Sequence, residues 1–255
     1  MTSDRSLEDR IASSIQLLGH FVVPLYLQAA RRLELVGTGF FIESDDAVVL
    51  VSAAHVLCQA SDSSPLLAFQ TPERAVQIGG RRHLSPIEGL DLGFIVTEDV
   101  SLPWAAVERI SCREEYLLGR RTPRENRLYA VAGYPASKNR FEPSEGAIVA
   151  ELHGFHASSI PDKEYAAHGL DPREHVAILL DVRRVYGPDG KRKQFPKPQG
   201  MSGSPIWELF DDREERGAGP QTFPIVGVAT NYRKASRLLF GTDVEPLMEK
   251  IHEST

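Results

Sequence analysis

A chain of 255 residues, 42% hydrophobic and 25% charged, suits one large domain or two small fused ones and can bury a substantial core. Its formal charge of −6 excludes a molecule built as a whole to coat nucleic acid or an anionic membrane. Two cysteines, Cys58 and Cys112, make a poor disulfide framework.

The opening MTSDRSLEDR carries charge where a secretory signal needs an apolar core, so a cytoplasmic protein is expected. Leu7, Ile11, Ile15 and Leu18 then recur at spacings of four, four and three, which predicts a short leading helix with Asp4 as its cap. From there the periodicity changes. HFVVPLYL, RRLELVGTGFFIE and AVVLVSAAHVL are short runs rich in Val, Leu and Phe, broken by Gly, Asp and Ser, and read as strands. The run from Phe21 to Leu27 is far too short to span a bilayer.

After the polar connector CREEYLLGRRTPREN the same texture resumes in RLYAVAGYP, GAIVAELHGF, HVAILLDVRRV, PIVGVATNY and RLLF. Two sets of strands about a charged connector predict an all-β chain of two tandem barrels or sandwiches. Val244, Leu247, Met248 and Ile251 then fit the apolar face of a closing helix over 243–253. The loops at 61–65 and 211–220 are expected to be exposed.

Three segments carry chemistry. In GMSGSP, glycines on both sides of Ser202 permit backbone conformations in which two amide N–H groups converge beside the hydroxyl, as an oxyanion hole requires. A serine hydroxyl is a weak nucleophile without a base. Of eight histidines, only His55 directly follows a buried strand and a pair of small residues, in VSAAHVL. The imidazole needs a carboxylate to set its tautomer, and Asp91 in EGLDLGFIV precedes an apolar strand. Taken singly, each also reads as a turn serine, a structural histidine or a strand-start aspartate.

Taken together, GTGFFIE…VSAAHVL, DLGFIV and GMSGSPIWEL followed by PIVGVATNY resemble the chymotrypsin-like serine proteases in motif and in the order His, Asp, Ser. The resemblance runs from about residue 13 to the terminal helix. It implies two six-stranded antiparallel barrels, at 13–118 with His55 and Asp91 and at 119–240 with Ser202. It makes His55 the general base and then acid, Asp91 its orienter, and Ser202 the nucleophile, with the N–H groups of Gly200 and Ser202 as oxyanion hole. Ser204 is the rival hydroxyl, at a position the family uses structurally. GTGF, Gly37 to Phe40, is a fold marker. No metal and no cofactor is implied, and the partner is a protein or peptide substrate.

The same resemblance places Thr230, Asn231 and Tyr232 on the strand lining the specificity pocket, where an extended peptide would pair as an added strand. Thr230 falls where the family contacts the triad aspartate. The other wall is 194–199, with Pro196 where trypsins hold an acid, which argues against cleavage after Lys or Arg. Arg183, Arg184, Lys191, Arg192, Lys193 and Lys197 outnumber Asp181 and Asp189 upstream. They either favour acidic substrate segments or solvate a hairpin turned at 188–190.

Met201 stands where secreted relatives carry the acid of the zymogen switch, and no Ile-Val-Gly-Gly-like start is present. The expectation is a preformed site of the bacterial, HtrA-like type without a PDZ module, with a regulatory protein partner among the ways to restrain it. Two other functions compete. A catalytically silent binding module on the same fold would ordinarily have lost Ser or His, and an esterase would need the absent G-x-S-x-G elbow.

Overall fold

The run Ala47–Ser52 shows why the strands of this chain read as continuous apolar stretches. In the computed structural model it is a strand whose side chains alternate between two cores. Val48 and Leu50 pack with Val23, Leu25 and Phe41, whereas Val49 and Val51 pack with Val22, Phe40 and Ile42. Tyr129 and Val131 are divided from Ala130 and Ala132 in the same way. Successive strand side chains point to opposite faces, so a strand buried on both faces has no polar row.

The structure describes residues 14–29, 32–44, 47–61, 63–71, 74–84, 90–97, 110–111, 124, 127–142, 147–180, 185–186, 192–193, 196–210 and 223–254. The first half holds β1 (Val22–Ala29), β2 (Arg32–Ser44), β3 (Ala47–Ser52), β4 (Leu66–Thr71), β5 (Arg74–Gln77), β6 (Gly80–Leu84), β7 (Gly93–Thr97) and β8 (Ile110–Ser111). These form one sheet in the order β5-β4-β1-β2-β3-β7-β6, antiparallel throughout, with β8 beside β2 in parallel.

The second half holds β9 (Leu128–Gly133), β10 (Asn139–Glu142), β11 (Ala147–Ala150), β12 (His153–Ser158), β13 (His175–Leu179), β14 (Val185–Tyr186), β15 (Arg192–Lys193), β16 (Pro205–Phe210), β17 (Ile225–Arg233) and β18 (Leu238–Asp243). Its sheet runs β13-β18-β17-β16-β9-β12-β14-β15, and β10 and β11 pair separately. The expected pair of antiparallel barrels is present as two curled sheets. The second contains six longer strands extended by the two-residue β14 and β15, which pair antiparallel; the turn expected at 188–190 lies outside the described residues.

The leading helix α1 spans 14–18 and buries Ile15 and Leu18; Asp4, Leu7 and Ile11 lie outside the described residues. A single turn, α2 (Ala54–Leu57), follows β3; α3 (Asp162–Tyr165) lies between β12 and β13; and α4 (Glu245–Ser254) closes the chain. The last starts two residues later than expected because Asp243 still belongs to β18, and its carboxylate accepts the Glu245 N–H at 2.9 Å.

One core cluster joins the halves. It takes Phe40 and Phe94 from the first sheet, Trp207 and Val228 from the second, and Ile15, Leu18, Leu247 and Ile251 from α1 and α4. Arg124 of the connector is fully buried and ion-paired with the equally buried Asp243. It also donates through Nε to the Pro172 carbonyl at 3.1 Å. Taking both charges out of water is tolerable only because they are paired and hydrogen-bonded. Cys112, the rest of the connector and the 211–220 loop lie outside the described residues. Among the described residues no helix is long and apolar enough to cross a membrane.

Candidate active site

His55 and Asp91 meet because of strand register. β3 pairs with β7 so that Ser52 faces Gly93. Continuing past the ladder brings 53–55 opposite 90–92, and the Ala54 N–H reaches the Asp91 carbonyl at 3.4 Å. The turn of α2 then aims both His55 groups at one carboxylate. Its backbone N–H donates to Asp91 Oδ1 at 2.8 Å, and its Nδ1 bonds to Oδ2.

With Nδ1 committed to the carboxylate, Nε2 is the ring nitrogen left for another partner; the His55 side chain is 47% exposed and that of Asp91 33%. Burial pushes the Asp91 carboxyl up. The hydrogen bonds from the His55 ring and backbone and the nearby imidazole charge outweigh it, and the carboxyl ends below its ordinary value.

The loop before β16 builds the other side. Gly200 and Gly203 have φ of +94° and +92°, in the region that favours glycine. A Cβ on Gly203 would also lie 2.0 Å from the Thr38 carbonyl oxygen. The N–H groups of Met201, Gly203 and Ser204 are engaged by the carbonyls of Pro198, Ala229 and Met201 at 3.0, 2.7 and 3.0 Å. Among the described residues, the N–H groups of Gly200 and Ser202 donate to no carbonyl. These are the two amides that the sequence singles out as an oxyanion hole.

The half-buried Ser202 hydroxyl points along the cleft and donates to the Thr230 carbonyl at 3.3 Å, not to His55. Ser204 is fully buried, and a Cβ on Gly133 would lie 2.1 Å from its Oγ, so it does not face the cleft. Met201 is buried in the second-sheet core beside Tyr129, Val131 and Phe155.

What locks the loop is a residue that sequence reasoning treats only as part of a fold marker. Thr38 on β2 is fully buried. Its hydroxyl donates to the Gly200 carbonyl at 2.9 Å and accepts the Tyr134 N–H at 3.1 Å, while its own N–H donates to the Ser202 carbonyl at 2.8 Å. The Ala136 N–H holds the Gln199 carbonyl at 2.6 Å. The peptide planes on both sides of Gly200 are therefore fixed, and with them the direction of its free N–H. Gly37 passes so close that a Cβ there would lie 2.7 Å from the Val56 methyl groups and 2.9 Å from the Ser202 carbonyl oxygen. GTGF is thus the floor between the histidine turn and the serine loop.

His55, Asp91 and Ser202 line a single cleft of about 740 Å³ together with Pro196, Thr230, Asn231 and Tyr232. The expected contact between the Thr230 side chain and Asp91 is not made. The Thr230 hydroxyl turns instead to the Phe240 carbonyl at 3.4 Å, because Thr230 lies on β17 against β18 and is buried there. Lys234 also lines the cleft and is absent from the sequence-derived set; its only local signal is a basic residue following the β17 run. Among the described residues no group of three or more His, Cys, Asp or Glu side chains is placed to hold a metal ion.

No family model matches the chain, and no curated protein matches it. Solved structures do. A Glu endopeptidase in complex with MPD aligns with a TM-score of 0.51 at 13% identity, covering 92% of this chain and 90% of that one. A structure described under the coupled folding and binding of the Sesbania mosaic virus VPg protein aligns at 0.48 and 14%, covering 91% and 90%. The two curled sheets and the first of these likenesses identify a chymotrypsin-like double β-barrel fold.

Proposed function

We propose that the chain is a serine endopeptidase of this fold, cleaving peptide bonds through Ser202, His55 and Asp91. The observation that carries the reading is that a hydrogen-bonded His55–Asp91 pair and Ser202 line one cleft, with the amides of Gly200 and Ser202 in the serine loop uncommitted among the described residues. The exposed Cys58 thiol fits the reducing interior of a cell. The burial of Met201, with Thr38 holding the loop instead, supports a site formed without an activating salt bridge.

In this mechanism a rotation about the Ser202 Cα–Cβ bond carries Oγ from the Thr230 carbonyl to His55 Nε2. Oγ attacks the peptide carbonyl carbon while its proton passes to Nε2, and the resulting oxyanion accepts the N–H groups of Gly200 and Ser202. Asp91 stabilises the imidazolium without taking its proton. Collapse breaks the C–N bond, and the leaving amine takes the proton from Nε2. Water then loses a proton to Nε2, attacks the ester, and releases the acid with Ser202 restored.

A second reading, a binding module without catalysis, draws on the Ser202 bond to Thr230 in place of one to His55. Labelling with a fluorophosphonate probe separates the two. Labelling of the wild type that is lost in Ser202→Ala, with turnover down about ten-thousandfold, is expected for the protease. Labelling that persists in Ser202→Ala, or that never occurs in the wild type, would refute it.

A further inference from the structure

We infer that the cleft beside Ser202 takes a substrate side chain that is acidic, with its carboxylate held between Lys197 and Lys234. The inference rests on the protease reading for its substrate class. It stands on three observations about the cleft.

The first is its charge. Lys197, in the segment leading to Gly200, and Lys234, just past the end of β17, both line the cleft and are exposed, and among the described residues neither ammonium group has an ion-pair partner. Among the described residues Asp91 is the single acidic one lining the cleft, and its carboxylate is already matched by His55. The neighbouring Arg233 does not compete, because its guanidinium donates to the His168 carbonyl and lies over the Phe240 ring, 4.8 Å from its centre.

The second is shape. Buried Pro196, half-buried Pro198 and half-buried Tyr232 present apolar surface, and Tyr232 packs on the second-sheet core. That surface suits the methylene stem of Glu, and the two cations line the same cleft. The neutral Gln199 and Asn231 add no further charge to the described lining.

The third is the contrast with the rest of the molecule. The chain carries a formal charge of −6, so its overall field disfavours anions. Salt screens that field over about 10 Å, whereas an ion pair formed inside the cleft is screened less. Selection for an acid must therefore be local, and these two lysines are where the described cleft supplies it. The β14–β15 hairpin of the basic segment lies at the end of the sheet order away from β17.

The test uses fluorescein-labelled peptides identical except for a final Glu, Gln or Lys, titrated by fluorescence anisotropy against the Ser202→Ala protein, where no bond can be cut. The Glu peptide should bind about tenfold more tightly than the Gln peptide at about 0.1 M salt, with the advantage shrinking toward 1 M. Lys197→Ala with Lys234→Ala should remove the difference, and Lys197→Glu with Lys234→Glu should reverse the order in favour of the Lys peptide. Equal binding of the Glu and Gln peptides, or a preference untouched by the double alanine change, would overturn the subsite. Peptide cleavage by the wild type separates the two claims. A Glu preference in binding without any fluorophosphonate labelling of the wild type sinks the protease and keeps the subsite. Cleavage indifferent to Glu against Gln sinks the subsite and keeps the protease.

Discussion

Replacing Thr38 by Val keeps the shape of the side chain and removes one hydroxyl, and that hydroxyl joins the two halves of the site. It holds the Gly200 carbonyl at 2.9 Å and the Tyr134 N–H at 3.1 Å from a fully buried position. If nothing moved, two buried polar groups would lose their partner at about 1–3 kcal/mol each, a total of about 2–6 kcal/mol. Gly200 is half-buried and follows Gln199, which lines the cleft, so a shift of the loop that lets water reach its carbonyl is the cheaper outcome. Stability should then fall by only about 1–2 kcal/mol, near the net value of a hydrogen bond. The displaced element is the Gly200 N–H, and loss of one oxyanion donor costs about a hundred- to a thousandfold in kcat. The expected signature is a kcat down about hundredfold with KM little changed, a matching fall in fluorophosphonate labelling rate, and a modest drop in the urea midpoint. Thr38→Ser keeps the hydroxyl and should retain most of the rate, losing about 1 kcal/mol of stability with its buried methyl. A Thr38→Val protein that loses stability but labels and turns over like the wild type would refute the reasoning, because the hydroxyl would then be structural only.

Two further outcomes follow from the charged groups. Asp243→Asn should destabilise the fold by about 3–5 kcal/mol, since it strands the guanidinium of Arg124 in a fully buried setting; denaturant unfolding measures this, and a loss under about 1 kcal/mol would contradict the burial of the pair. Asp91 has a carboxyl pKa below its ordinary 3.8 in the folded protein, so as pH falls the unfolded chain takes up the proton first. Its contribution to stability is present in full above about pH 4 and is lost as pH drops through the lowered folded value. The gap in unfolding free energy between wild type and Asp91→Asn should close only as pH falls below the ordinary carboxylate value; a gap that has already closed near pH 5 would show that the His55 bonds do not depress this carboxyl.

Much of the molecule was legible in the sequence because it is encoded locally. Short apolar runs broken by turn residues announce strands, and burial of both faces of β3 and β9 explains why those runs lack polar alternation. The order of His55, Asp91 and Ser202, with glycines on both sides of the serine, brought the three side chains together on paper, and the structure places them on one cleft. Met201 could be recognised as a departure from the secreted relatives from its position alone, and its burial among Tyr129, Val131 and Phe155 follows from being apolar in a core loop.

Tertiary structure decided what depends on partners far apart in the chain. A period of two says which face a strand side chain occupies but not which strand lies beside it. The register of Ser52 on Gly93 that brings Asp91 to His55 is therefore a property of the assembled sheet. The Thr38 hydroxyl reaches a carbonyl 162 residues away, and nothing in GTGF announces that bond. Thr230 meets Phe240 instead of Asp91 because it is buried at the bulge where β17 shifts register against β18, and Lys234 enters the cleft because β17 ends there. Residue type alone dictated which side chains had the chemistry for a nucleophile, a base and an orienting acid. Packing the two sheets about one shared core determined how those groups face one another, since hydrogen-bond direction and charge distance exist only once the chain has folded.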